Sequence, residues 1–588
     1  LHTLNGLLGR PAGTGPSVTM QKELAGWQRQ LTSTEDPEAL WSAVKQFNAA
    51  APSLHSRIPW AKMAAGSHKP YAVYLLSPLQ KLMQTDLPDM QSQVRGELFA
   101  ARDEAQSLQV IVAAPAGPLH HVVVTADLTG PGGHPIVPEL HRVGYVNVRH
   151  PTPGGTGLPG RYPDPLFPLA PFDVTAAQTQ SVWLTAWVPR DATPGKYHGQ
   201  VTITPEGMPS VRLKLNLTVF HATLPVQSRL KTDVGIWGTA RDVYGKAWNQ
   251  QRADHFTETG LRYRFTSPPS LPWDKVWGHG SDGAVTADWS AFDPAVMSWM
   301  AKGATAFSID TIMDWSMDPP APAAQPEATG RFRLLGQHLH DRGWDDRFYF
   351  YRFDEPGADA IPRLQRLCDY VHAAAPNIKI LLTGFHPGFQ QFAGRIGIWV
   401  PHINQFDPAF MDERRAAGDE IWMYVCIATV GTTYPDVWRI DWTGTAHRAI
   451  GHWLWRNQCS GFLYWCVDYW TQGLHKGFDL LDEPMAFPGG NGDGFLFYPD
   501  PAGGDPLPSI RVELMRDGFQ DYDLLQLLQD KTMQVQSNPQ SAQRFAPWLK
   551  RANALLHTTA IIPTPSDFSK DPGVYDRFHR EVLEGLDD

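Results

Sequence analysis

The spacing of apolar residues changes twice along this chain. Up to about residue 68 it is helical: Leu24, Trp27 and Leu31 share one face, and Leu40, Val44 and Phe47 share another. Ser33, Thr34 and Asp36 lie between them as capping residues. From 69 to 225 the period is two. Short apolar runs at 71–76, 105–112, 122–124, 144–148, 181–188, 196–204 and 211–219 are separated by turn signals such as Thr193-Pro194-Gly195. The last run alternates apolar and polar residues, as a strand with one wet face must. Many short strands at fairly even spacing predict an all-β sandwich. From 226 to 505 the strands become continuous apolar runs, at 234–237, 306–310, 378–383, 396–400, 421–426 and 461–466, with helical segments between them. That pattern predicts a parallel sheet covered on both sides, an α/β (β/α)8 TIM-like barrel. The Trp-, Gly- and Pro-rich segment 245–300 hides the remainder of the eight strands. From 506 to 588 the pattern is helical again and predicts a tail packed on the barrel.

One further strand stands out, Arg347-Phe348-Tyr349-Phe350-Tyr351-Arg352-Phe353-Asp354-Glu355-Pro356. Its aromatic run favours a pleated, half-buried backbone. Pro356 cannot donate a hydrogen bond and biases Glu355 away from the α region, so the strand should stop at the two acids. Ile361, Leu364, Leu367, Cys368 and Val371 then recur at helical spacing. In a (β/α) barrel, catalytic groups sit at the C-terminal ends of strands. Adjacent side chains in a strand point to opposite faces, yet where the chain turns both can reach one cavity. A protonated acid would then serve a leaving oxygen while its charged neighbour holds developing positive charge. The plainer reading is a solvated turn or a helix cap.

Charge and composition narrow the partners. With 588 residues and a net charge of −10, the chain has no basic cluster for nucleic acid. No apolar run reaches the length of a membrane span. Cys368, Cys426, Cys459 and Cys466 form no CxxC pair, which argues against zinc. No Gly-rich phosphate loop stands out, and no metal or organic cofactor is expected. The chain opens Leu1-His2-Thr3 without Met. Either a leader was removed or the chain was trimmed, and a secreted or periplasmic location is the expectation. The 22 tryptophans suit aromatic surfaces that stack on sugars. Trp399, Tyr424, Trp465 and Trp470 are candidates to ring a cleft, with His386 and Asp468 as candidate sugar contacts. For each ring taken alone, filling the barrel core is the commoner role.

Several stretches together resemble glycoside hydrolase family 123 and its relatives of unknown function. They are Asp354-Glu355-Pro356, Gly461-Phe462-Leu463-Tyr464-Trp465 before Tyr469-Trp470, Gly492-Asp493-Gly494-Phe495-Leu496-Phe497-Tyr498-Pro499, Ser509-Ile510-Arg511, and 516–522. Ser77-Pro78-Leu79-Gln80-Lys81 and Glu104-Ala105-Gln106-Ser107-Leu108-Gln109 resemble that family's β-sandwich. The likeness covers roughly 70–530. It implies a retaining exo-β-N-acetylgalactosaminidase-like hydrolase acting on an oligosaccharide or glycoconjugate. Glu355 would be the general acid/base, and Asp354 would orient the substrate's own 2-acetamido group as nucleophile. Substrate assistance is a known exception to the two-carboxylate rule. A sugar without that group would need a second carboxylate from another strand; Asp310, Asp407 and Asp468 lie at or near strand ends. A non-catalytic carbohydrate-binding protein is the alternative outside enzymes. Arg511, Arg516, Asp517 and Asp521 are read as an ion-pair network clamping the tail helix to the barrel.

Overall fold

A computed structural model of the chain describes residues 16–66, 70–89, 93–154, 157–236, 239–267, 269–309, 312–313, 316–384, 387–470, 479–500 and 502–588. Two helices come first, Pro16–Ser33 and Pro37–Gly66. Asp36 caps the second by accepting from the Glu38 and Ala39 amides. Met20, Leu24, Leu54 and Ile58 bury the apolar stripe of the pair.

Ten strands follow: β1 (Ala72–Leu76), β2 (Glu97–Arg102), β3 (Ala105–Ala113), β4 (Leu119–Thr129), β5 (Glu139–Val148), β6 (Gly160–Pro168), β7 (Phe172–Val174), β8 (Thr179–Trp187), β9 (Gly195–Thr204) and β10 (Val211–Thr223). They form two five-stranded sheets, β1-β3-β8-β5-β6 and β2-β10-β9-β4-β7. Val110, Val182, Val201 and Leu217 contribute to the core between them. Every residue of β3 is buried, so polar side chains on its outer face need partners. The helix Ile510–Gln536 supplies them. Ser107 and Thr185 donate to Glu513, each at 3.2 Å. The Gln520 amide exchanges bonds of 3.0 and 2.9 Å with the Ala105 backbone.

The second β region contains β11 (Lys231–Val234), a hairpin of β12 (Trp277–His279) and β13 (Val285–Ala287), then β14 (Phe307–Ser308), β15 (Phe348–Tyr351), β16 (Lys379–Gly384), β17 (Ile398–Pro401), β18 (Glu420–Tyr424) and β19 (Gly461–Tyr464). Apart from the hairpin, these strands make one parallel sheet in the order β11-β19-β18-β17-β16-β15-β14. Among the described residues the sheet is a nearly closed barrel of seven strands, where the pattern predicts eight. In the gap lies the segment 265–267. Val234 N donates to Thr266 O at 3.0 Å. Threonine hydroxyls replace the rest of the ladder: Thr266 N donates to Thr232 Oγ1 at 2.7 Å, and Thr305 N to Thr266 Oγ1 at 2.9 Å. With side chains serving as partners, the eighth position needs no regular strand. Tyr349, Leu381, Ile398, Val400, Trp422, Tyr424 and Leu463 form one cluster in the barrel. The alternate positions Phe350, Ile380, Leu382, Trp399, Met423 and Phe462 belong to the large core that includes the surrounding helices. Among the described residues no helix is long and apolar enough to cross a membrane.

Candidate active site

Strand ends converge on a cleft of about 780 Å³. Asp233 and Gly235 come from β11 and its exit, Ser308 from β14, Asp354 and Glu355 from beyond β15, Tyr424 and Cys426 from β18, and Trp465 from beyond β19. This is the C-terminal face of the barrel, where such folds place their chemistry.

Both acids of the aromatic strand line the cleft. Glu355 has φ of +45°, in the left-handed region that a non-glycine residue seldom occupies. An extended Glu355 is what Pro356 favours; its amide instead donates to Thr383 Oγ1 at 3.0 Å. Such a conformation persists where the surroundings over-determine it, and it is characteristic of functional sites. The turn lets two neighbouring carboxylates share a cavity that a straight strand would deny one of them.

Each acid has one oxygen clamped. Thr383 and Tyr351 donate to Asp354 Oδ1 at 2.9 and 3.1 Å. Tyr424 donates to Glu355 Oε1 at 2.5 Å. Thr383 therefore bridges the backbone of one acid and the side chain of the other. Burial raises the Glu355 pKa above the ordinary carboxylate range; the Tyr424 hydrogen bond opposes the shift and the Asp354 charge adds to it. Asp354, exposed, stands beside half-buried Glu355.

A fourth carboxylate lines the cleft beside Asp233, Asp354 and Glu355, namely Asp493. Tyr464 and Trp465 both donate to its Oδ1, at 2.9 Å each. The loop that carries it depends on two glycines. A Cβ on Gly492, at φ +104°, would meet Trp438 O at 2.4 Å, and one on Gly494, at φ +85°, would meet Trp465 Cζ2 at 2.5 Å. Arg511 Nη1 holds Gly492 O at 2.8 Å from the start of the long C-terminal helix. Burial pushes the Asp493 carboxyl up to about 6, against the hydrogen bonds from Trp465 and Tyr464. Beside it, Trp465 packs edge-on against Tyr469 and Phe487, with ring centres 5.1 and 5.4 Å apart. Flat rings opposite strand-end acids suit a pyranose, whose apolar face stacks while its hydroxyls meet polar groups.

Asp354, Glu355, Tyr424 and Trp465 therefore share the cleft; three other expected contacts do not. Trp399 is fully buried, packs against Phe389 and Phe410, and donates to Asp419 at 2.9 Å. Its neighbours Ile398 and Val400 take the barrel interior, so strand alternation turns the indole outward. Trp470 is buried against Tyr244 and Phe256 and donates to Phe497 O at 2.9 Å. Asp468 is buried too, accepting from the Ala240 amide and the Cys466 thiol. Asp407 caps the helix Pro408–Ala416. His386 and Asp310 lie outside the described residues. Sequence reasoning did not assign Asp233, Tyr351, Thr383 or Asp493 to the site. Thr383 carries the same strand-end signal as the acids, and Asp493 stood in a quoted motif without a role. Asp233 accepts from the Tyr349 hydroxyl at 2.7 Å.

A strand-end cleft of clamped carboxylates and aromatic rings suits a glycosidase, and the comparisons place the chain in that class. Residues 275–528 match the model of the glycoside hydrolase 123 catalytic domain, and residues 88–205 that of the glycoside hydrolase 123 N-terminal domain. The chain is a glycoside hydrolase, and it belongs with family 123. A solved family 123 glycoside hydrolase from Clostridium perfringens, described for glycolipid glycan hydrolysis, has the same fold. The TM-score is 0.62 at 14% identity, over 88% of this chain and 97% of that one. A Bacteroides ovatus GH5 xyloglucanase (10% identity, 72% and 98% coverage) has a TM-score of 0.25. A Bacteroides cellulosilyticus family 39 glycoside hydrolase (11%, 74% and 81%) has one of 0.29. Neither likeness is close enough to carry an argument. No curated protein matches the chain.

Proposed function

We propose that the protein hydrolyses a β-linked 2-acetamido sugar, of the N-acetylgalactosamine kind, from the end of an oligosaccharide or glycoconjugate with substrate assistance. The observation that carries this reading is the paired clamp on Asp354 and Glu355. One strand end supplies both acids, each with one oxygen fixed and one making no hydrogen bond to the described residues. Glu355, whose pKa burial raises, delivers its proton from Oε2 to the glycosidic oxygen as that bond breaks. Asp354 Oδ2 accepts the amide N–H of the 2-acetamido group. The acetamido carbonyl oxygen then attacks the anomeric carbon, closing an oxazolinium ion whose positive charge lies beside the carboxylate. Ionised Glu355 next takes a proton from water, which opens the ring with overall retention.

Thiazoline analogues copy that ion and should inhibit strongly, and 2-fluoro glycosides should trap no glycosyl-enzyme. A sugar-labelled peptide would refute substrate assistance. Asp233 or Asp493, which line the same cleft, would be the acids to search for the label. A secreted or periplasmic site of action belongs to the same proposal, since such glycoconjugates lie outside the cytoplasm.

A further inference from the structure

Thr383 is the next-to-last residue of β16, the strand beside the one that carries the two acids. It is wholly buried and does not itself line the cleft. Its single hydroxyl nevertheless ties both acids. Oγ1 accepts from the Glu355 amide at 3.0 Å and donates to Asp354 Oδ1 at 2.9 Å. The first bond fixes the sense of the second: an amide N–H can only donate, so the one hydroxyl proton goes to the carboxylate. The Glu355 backbone depends on this anchor. A residue before proline favours an extended backbone, and at φ +45° Glu355 is strained. Without an acceptor for its amide it would relax towards the extended form and carry its side chain away from the cleft. The residue type fits the task. A β-branched side chain is stiff at χ1, and pairing with Val400 of β17 fixes the backbone beneath it. Valine would keep that shape without the hydroxyl, and serine would keep the hydroxyl on a looser stem.

We propose that Thr383 is a positioning residue of the hydrolysis, whose hydroxyl locks Asp354 and Glu355 into one geometry, so that proton delivery and orientation of the 2-acetamido group are achieved together. The inference rests on the substrate-assisted reading of the cleft and deepens it. Because Thr383 does not line the cleft, its loss should spare binding of the sugar and fall on the transition state. Misplacing reacting groups by about 1 Å costs on the order of 100-fold in rate. The defect differs in kind from loss of the acid alone. A very good leaving group needs little protonation and so forgives a missing Glu355. It does not forgive a displaced Asp354, which acts on the acetamido group whatever the leaving group.

The test is steady-state kinetics of the wild type, T383V, T383S and E355Q on two aryl 2-acetamido-β-glycosides, one with a poor and one with a very good leaving group. T383V should lower kcat by about 100-fold with KM unchanged. The factor should be similar on both substrates, while the E355Q defect shrinks on the good leaving group. T383S, which restores the hydroxyl, should recover most of the lost kcat. Wild-type kcat in T383V, a loss that falls on KM instead, or a T383S no faster than T383V would overturn the proposal. So would a T383V defect that shrinks on the good leaving group as that of E355Q does, since Asp354 would then be untouched. Should T383V not fold, T383A replaces it and must meet the same criteria. An impaired E355Q beside an unimpaired T383V overturns this inference alone. A wild type that cleaves neither substrate, or an E355Q fully active on the poor leaving group, overturns the mechanistic reading and the inference with it.

Discussion

Glu355 is held in a left-handed backbone conformation by Thr383 and by the Tyr424 hydroxyl on its side chain. Its two neighbours act on its proton in opposite senses. Tyr424 donates to the carboxylate and so favours the charged form; Asp354 disfavours it. Removing the donor in Y424F should therefore raise the acid's pKa further and move the basic limb of the kcat/KM profile to higher pH. A limb that stays put or moves down would separate Tyr424 from the acid. E355Q should lower turnover of a natural glycoside by about 10²–10⁴-fold with sugar binding kept, and should harm a substrate with a very good leaving group less. At this scale the sequence was informative where a residue type and a strand stop coincided, as at Asp354-Glu355-Pro356. It was silent on Asp493, because a loop has no period and the donors Tyr464 and Trp465 are 29 and 28 residues away.

At the scale of elements, strand alternation decides which aromatic residues can meet substrate. Trp399 and Trp465 look alike in the sequence, each in an apolar run near a strand end. The first faces the helices and the second faces the cleft. W465A should raise KM by an order of magnitude or more through lost stacking. W399A should leave KM unchanged and destabilise the fold by about 3–5 kcal/mol by opening a cavity. Steady-state kinetics beside urea denaturation separates the two. Besides β15, five strands of the barrel sheet were legible as continuous apolar runs, whereas the run read as the first, 234–237, meets β11 only at Val234. The eighth position was not legible, because Thr232, Thr266 and Thr305 bond through hydroxyls where a strand would use its backbone.

Across the whole molecule, the helix Ile510–Gln536 joins sandwich to barrel. Arg511 meets Asp164 of β6 at 2.8 Å, and Asp521 meets Arg448 of the helix Gly444–Arg456 at 2.7 Å. The charged residues Arg511, Arg516, Asp517 and Asp521 announced an ion-pair network in the sequence. That it clamps the sandwich as well was not legible, since Asp164 lies 347 residues before Arg511. Burial alone would raise the Asp521 carboxyl, but Arg448, His452 and His579 outweigh it and hold it well below the usual range. A depressed folded pKa stabilises above the unfolded value, about 3.9, and that contribution is lost as pH falls through the folded value. D521N should thus cost about 3–5 kcal/mol at neutral pH, the range for breaking a buried pair, and progressively less below pH 4. Urea melts at pH 7 and pH 3 give the comparison; an equal penalty at both would remove the charge from the explanation.

Under the proposed mechanism, the 2-substituent of the sugar decides what is cleaved. The most direct measurement is the rate of the wild type on two 4-nitrophenyl β-glycosides identical but for a 2-acetamido or a 2-hydroxyl group, repeated with D354N. Substrate assistance predicts turnover of the acetamido glycoside alone, slowed by orders of magnitude in D354N. Comparable turnover of the 2-hydroxyl glycoside, with D354N unimpaired, would contradict it.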